Sequence, residues 1–262
     1  MQKLSPHRPV SLTGALLASL IVHLCAPAYA ESGENPDIQY GRFFIKGTAA
    51  ELVDAETMES MSKLLDADKE ITWQMYVPES YDPTKPAGLL VYVSPTPHGG
   101  MPIGWKPVFD EQNLILISAD ESGNRTRTKT RMMLAALAPY VAAEHYRIDP
   151  GRIYVSGFSG GGKVASIASI QFANLFSGAI YICGVEFWPK VAPELLTLAK
   201  THRYVFLTGS DDFNRQLTRR IYARYERAGM ANIDLITVSG MAHNTPGEKH
   251  FRDALFFLDQ RE

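Results

Sequence analysis

The chain has 262 residues, 45% of them hydrophobic and 21% charged, with a formal net charge of −2. That is enough apolar chain for one sizeable core. The balanced charge, with no Lys/Arg-rich block, excludes the electrostatic footprint of a nucleic-acid binder or an anionic-membrane binder.

The first segment reads as a targeting signal. Lys3 and Arg8 give a basic start, Leu12 to Cys25 is an apolar run, and Ala28-Tyr29-Ala30 is a small-residue exit. Residues 1–30 are therefore expected to be a secretory signal peptide cleaved after Ala30, with 31–262 as one domain. The apolar run is too short to span a bilayer comfortably, so a secreted or periplasmic protein without stable membrane insertion is expected. Leu24 stands where a lipidation signal at Cys25 would want a small residue. Once Cys25 leaves, Cys183 is alone and no intramolecular disulfide can form. At the end of the run Ala179–Cys183 it reads as a small buried hydrophobe.

The expected elements alternate. Phe43–Ile45 is a short strand, and Leu52–Leu65 carries Leu52, Met58, Met61, Leu64 and Leu65 at helical spacing. Ile71–Pro78 alternates as a strand does, and 79–86 is a turn. Leu89–Val93 and Leu114–Ala119 are continuous apolar runs, as in the buried middle of a parallel sheet. Between them lies a Pro/Gly-rich loop, residues 94–105. Thr128–His145 is a long helix with Met132, Met133, Leu137, Tyr140 and Val141 on one face and a bend at Pro139. Asp149-Pro150-Gly151 reads as a turn before the next strand. Strands follow at Gly178–Cys183, Tyr204–Leu207 and Ile233–Val238, with helices at Ala192–Lys200, Gln216–Arg227 and Glu248–Gln260. This order predicts an α/β protein, a mostly parallel, doubly wound sheet with helices on both faces.

The stretch Arg152–Lys163 carries the chemistry. Gly157, Ser159 and Gly161 form G-x-S-x-G between a strand and a helix, the pattern of a nucleophile elbow. A strand reversing sharply into a helix leaves the serine exposed, and side chains two positions away would collide. The helix aims its free N–H groups at the serine, so Gly160 N–H is placed to meet an oxyanion. A serine hydroxyl needs a base, and the base needs an orienting acid. Both must come from loops at the carboxyl ends of strands. His243 follows the strand ending at Val238. Asp211 and Asp212 follow the strand ending at Leu207. A helix cap is the competing role for the two aspartates. Asn124-Arg125-Thr126 matches a glycosylation acceptor, a short pattern common by chance.

From Trp73 to the C-terminus the chain resembles the α/β-hydrolase superfamily, and most of all its secreted branch of feruloyl esterases and polyhydroxyalkanoate depolymerases. The matching stretches are Met75–Pro86, Ile148–Gly162, Thr208–Asp212 and Gly240–His243. The resemblance implies the α/β-hydrolase fold and a triad in the order Ser159, Asp212, His243. It favours Asp212 over Asp211 because the family's acid commonly lies three residues after the glycine ending its strand, here Gly209. It makes Glu186, just after Gly178–Cys183, a third candidate, since some hydrolases of this fold place the acid there. It implies hydrolysis of a small-molecule or polymer ester through an acyl-enzyme, with no metal or organic cofactor. A serine peptidase of this fold is a near alternative.

One departure stands out. Where the family has His-Gly after its central strand, supplying a second oxyanion N–H, this chain has Ser94-Pro95-Thr96. Pro95 and Pro97 have no N–H, which leaves Thr96 N–H as the expected donor, or else a fold-back of His98 with Gly99 and Gly100. The altered loop also motivates a contrasting reading, a non-catalytic binding protein on a hydrolase scaffold. Trp105, Phe187 and Trp188 are the expected lining of a substrate pocket.

Overall fold

A computed structural model describes residues 38–52, 65–66 and 68–260. The expected signal peptide, and all but the ends of the helix expected over Leu52–Leu65, lie outside the described residues. In chain order the elements are β1 (Gly41–Thr48), α1 (Ala49–Leu52), β2 (Glu70–Val77), β3 (Ala87–Val93), α2 (Lys106–Glu111), β4 (Leu114–Ala119) and α3 (Thr128–His145). Then come β5 (Ile148–Phe158), α4 (Gly160–Gln171), β6 (Gly178–Ile182), α5 (Pro193–Ala199), β7 (Arg203–Gly209), α6 (Arg215–Arg227), β8 (Ile233–Val238) and α7 (Glu248–Asp259).

The strands form one sheet in the order β1-β2-β4-β3-β5-β6-β7-β8. β2 runs antiparallel to β1 and β4, and every pairing from β4 through β8 is parallel. The apolar run of β3 is explained by its central place. Leu89, Val91 and Val93 enter the core shared with α3, α4 and α6, while Leu90 and Tyr92 enter the core shared with α2 and α7. Burying such a side chain is worth about 1.5–3 kcal/mol, so a strand buried on both faces favours apolar residues throughout. The edge strand β1 shows the opposite pattern. Phe43 and Ile45 are half-buried between the exposed Arg42, Phe44 and Lys46.

Three expectations are corrected. α3 forms over the expected residues and runs on through Pro139, but every residue from Arg131 to Pro139 is buried. It is a covered helix, and its alanines make that close packing possible. Asp149-Pro150-Gly151 lies inside β5, where it forms a bulge: Ala87 pairs with Ile148, the register shifts, and Leu89 pairs with Ile153. Asp149 Oδ1 accepts the Gly151 N–H at 2.9 Å and closes the bulge. Finally, α2 was not expected within the stretch after Trp105. Pro107 in its first turn was the available signal, since proline is pre-organised for that position. Among the described residues no helix is long and apolar enough to cross a membrane.

Candidate active site

The carboxyl ends of β3, β5, β6, β7 and β8 share one rim of the sheet, and the candidate residues gather there. Ser159 sits between β5 and α4 with φ 55° and ψ −118°. A non-glycine residue in that region costs about 1–3 kcal/mol and persists only where its surroundings hold it. Here Ser159 N–H donates to Ile182 O at 2.8 Å, and Ser159 O accepts from Lys163 N–H at 3.2 Å. The turn closes only on bare glycine. A Cβ on Gly157 would lie 2.4 Å from the Gly161 carbonyl carbon, and one on Gly161 would lie 1.9 Å from Val93 O.

His243 reaches this serine from the loop after β8. Its Nε2 is 2.9 Å from Ser159 Oγ, and its Nδ1 is 2.8 Å from Asp212 Oδ1. The side chain of Asp212 is fully buried. Burial alone would raise its pKa. Hydrogen bonds from Asn214 N–H, His243 and Thr208 Oγ1 outweigh that, and its carboxyl is held below the usual range. An ionised carboxylate only accepts, so Nδ1 carries the proton and Nε2 presents its lone pair to the serine hydroxyl. The loops are locked together: Asp211 N–H donates to Met241 O at 3.0 Å, and Gly240 N–H donates to Ser210 Oγ at 2.8 Å.

Of the three candidate acids, Asp212 is the one that meets His243. It also accepts the Asn214 N–H at the start of α6, so it bonds the helix start and orients His243 at once. Asp211 is exposed and accepts from Ser210 Oγ. Glu186 is exposed, and its N–H is bonded to Ser166 Oγ.

The expected second oxyanion donor is corrected. Thr96 N–H is taken by Ser94 Oγ at 3.1 Å. The alternative fold-back is absent too: His98 is exposed, and Gly99 N–H is tied to Asp120 Oδ1 at 2.7 Å, toward β4. Gly160 heads α4, where an N–H has no partner within the helix.

The expected aromatic lining is also corrected. Trp105 is fully buried, stacked on Phe251 at 3.6 Å, with Nε1 donating to Pro246 O. Trp188 is in the core, edge-on to Tyr225. Phe187 stacks on Trp188, and the Arg224 guanidinium lies 3.7 Å from its ring centre. Their faces are taken by protein. The aromatic rings at the site are instead Phe158, 4.8 Å from His243, and Phe213, stacked on His243 at 4.1 Å and 76% exposed. Both neighbour the motif residues Ser159 and Asp212, which was the available signal.

Cys183 is buried as expected, in a positive-φ conformation beside the acid, with Sγ donating to Asn244 O at 3.4 Å. Burial, then the Asp212 charge, pushes its thiol up to about 12. Donor atoms of Cys183, Asp212 and His243 lie within 4.8 Å of one another, spacing that a metal ion could use. The Asp212 and His243 atoms there are already bonded to each other.

No family model matches the chain, and no curated protein does. Solved structures do. A ferulic acid esterase aligns with a TM-score of 0.58 at 12% identity, over 84% of this chain and 99% of that one. The apoenzyme of an S-formylglutathione hydrolase from Staphylococcus aureus aligns with 0.57 at 10% identity, over 83% and 98%. Dipeptidyl peptidase 4 from Porphyromonas gingivalis aligns with 0.57 at 16% identity over 85% of this chain, which spans only 36% of that longer protein. With the strand order above, these likenesses establish the α/β-hydrolase fold.

Proposed function

We propose that this chain, an α/β-hydrolase by fold, is an exported serine hydrolase that cleaves carboxylic esters. The observation that carries the reading is the unbroken chain of hydrogen bonds from Ser159 Oγ through His243 to the buried Asp212. His243 Nε2 takes the Ser159 proton as Oγ attacks the acyl carbon, and Asp212 steadies the imidazolium that forms. Gly160 N–H stabilises the charge on the carbonyl oxygen. The imidazolium then protonates the leaving alcohol, and water repeats the steps to free the acid.

The dipeptidyl peptidase among the structural neighbours keeps a peptidase in view. The test is a panel of p-nitrophenyl esters against aminoacyl anilides, with burst kinetics. Ester turnover with a burst of nitrophenol is expected. Turnover of anilides alone would move the reading to a peptidase, and binding of esters without turnover would move it to a non-catalytic receptor.

A further inference from the structure

The base side of Ser159 is complete, while the oxyanion side offers Gly160 N–H and little else, since Thr96 N–H is already committed. Asn124 stands against Gly160. A Cβ built on Gly160 would lie 2.0 Å from Asn124 Oδ1 and 3.1 Å from Nδ2. The carboxamide therefore rests on the Cα of the residue after the nucleophile. The elbow pattern leaves position 160 open to any residue, so the glycine here is explained by the space Asn124 occupies.

The carboxamide is also oriented. Asn124 N–H donates to Pro95 O at 2.9 Å, which ties its loop to the altered loop after β3. Arg131 Nη1 donates to Asn124 Oδ1 at 3.3 Å, and Nη2 donates to Ser94 O at 3.0 Å. A guanidinium has only donors, so the oxygen must face it. The two Nδ2 hydrogens then have no protein acceptor among the described residues.

Arg131 itself calls for an explanation. It is 4% exposed, has no ion pair among the described residues, and its Nε has no partner. An uncompensated buried cation is costly. Burial lowers the guanidinium only to about 10, so it stays charged at neutral pH. A fixed positive charge behind the amide oxygen polarises the carboxamide and makes its N–H a stronger donor.

We propose that Asn124 Nδ2–H is the second oxyanion donor, in the place of the backbone N–H that the proline-flanked loop does not provide, with Arg131 as the positioning residue behind it. This rests on the ester-hydrolase reading. As Ser159 Oγ bonds to the acyl carbon, the carbonyl π pair moves onto its oxygen and the hydroxyl proton goes to His243 Nε2. The oxygen is met by Gly160 N–H and Asn124 Nδ2–H. When the pair returns, the bond to the alkoxide breaks and the alkoxide takes the proton from His243.

The experiment compares the wild type, Asn124→Ala, Asn124→Asp, Gly160→Ala and the Asn124→Ala/Gly160→Ala double variant on p-nitrophenyl butyrate, with fluorophosphonate labelling of Ser159 in parallel. Losing one such donor is expected to lower kcat by about 10²–10³, with KM within about threefold. Asn124→Asp keeps the shape and the Arg131 contact but donates nothing, so it should fall as far as Asn124→Ala. Gly160→Ala keeps its own N–H and meets side-chain atoms of Asn124 rather than backbone, so it should fold, displace the carboxamide and lose most of the same factor. The double variant should be no slower than the slower single. Variants with kcat within about threefold of a wild type that labels and turns over, or with a change in KM alone, overturn the inference. If the Asn124 variants fail to fold, Gly160→Ala decides by the same criterion. A wild type that neither labels nor turns over esters overturns the ester-hydrolase reading instead, and the inference falls with it.

Discussion

The two flanks of Ser159 are built on different principles. On the proposed base flank, Asp212 is buried, three donors point at it, and the loops after β7 and β8 are bonded to each other. On the proposed oxyanion flank, an exposed proline-flanked loop satisfies its own Thr96 N–H, and a side chain backed by a buried arginine rests on Gly160. The base flank demands fixed geometry over three side chains, and one buried carboxylate supplies it. The oxyanion flank demands only donors aimed at one point, so different parts can serve. The contrast teaches that the base flank has few solutions and the oxyanion flank many.

The largest effects should come from the base flank. Ser159→Ala is expected to lower kcat by about 10⁶, and His243→Ala to lower it comparably, because the pair acts as a unit. Steady-state ester assays check this, and a loss under tenfold would break the contrast at its stronger side. Asp212→Asn should cost about 10⁴ in kcat, since an amide can donate to Nδ1 and trap the wrong tautomer.

The same carboxylate ties stability to pH. Its folded pKa is lowered, so its contribution is fully present above its unfolded value of about 3.9 and is lost as pH falls through the folded value. The gap in urea midpoint between wild type and Asp212→Asn should therefore hold at neutral pH and narrow below about pH 4. A gap independent of pH would mean that the acid is not held as its charged form.

Cys183 sharpens the picture of a sealed base flank. With its thiol pushed up to about 12 and its side chain covered, it should resist iodoacetamide at pH 8 until the protein is unfolded. Rapid labelling of folded protein would mean that the flank opens. The smallest effect should be that of Thr96→Ala, with kcat within about twofold, as for an exposed residue outside the machinery. A loss of tenfold or more would mean that the Thr96 hydroxyl serves the site, since alanine keeps the backbone N–H.

Much of the base flank was legible because local patterns specify it. Gly157, Ser159 and Gly161 are fixed by one tight turn, the apolar runs of β3 and β4 mark the sheet centre, and the loops carrying Asp212 and His243 follow their strands directly. What escaped depends on contacts between distant segments. Nothing local to Trp105 says that Phe251 covers it rather than a ligand. Nothing local to Asn124 says that it rests on Gly160, and Arg131 reads as one more residue of a helix until its burial is seen. The bulge in β5 was hidden because Asp-Pro-Gly chemistry serves a turn and a bulge equally well.

The account stands most directly on peptide-level mass spectrometry after fluorophosphonate treatment of the wild-type protein. It predicts one adduct per chain, carried by Ser159 and lost in His243→Ala. A catalytically competent sample with no adduct, or with its adduct on another residue, would contradict it.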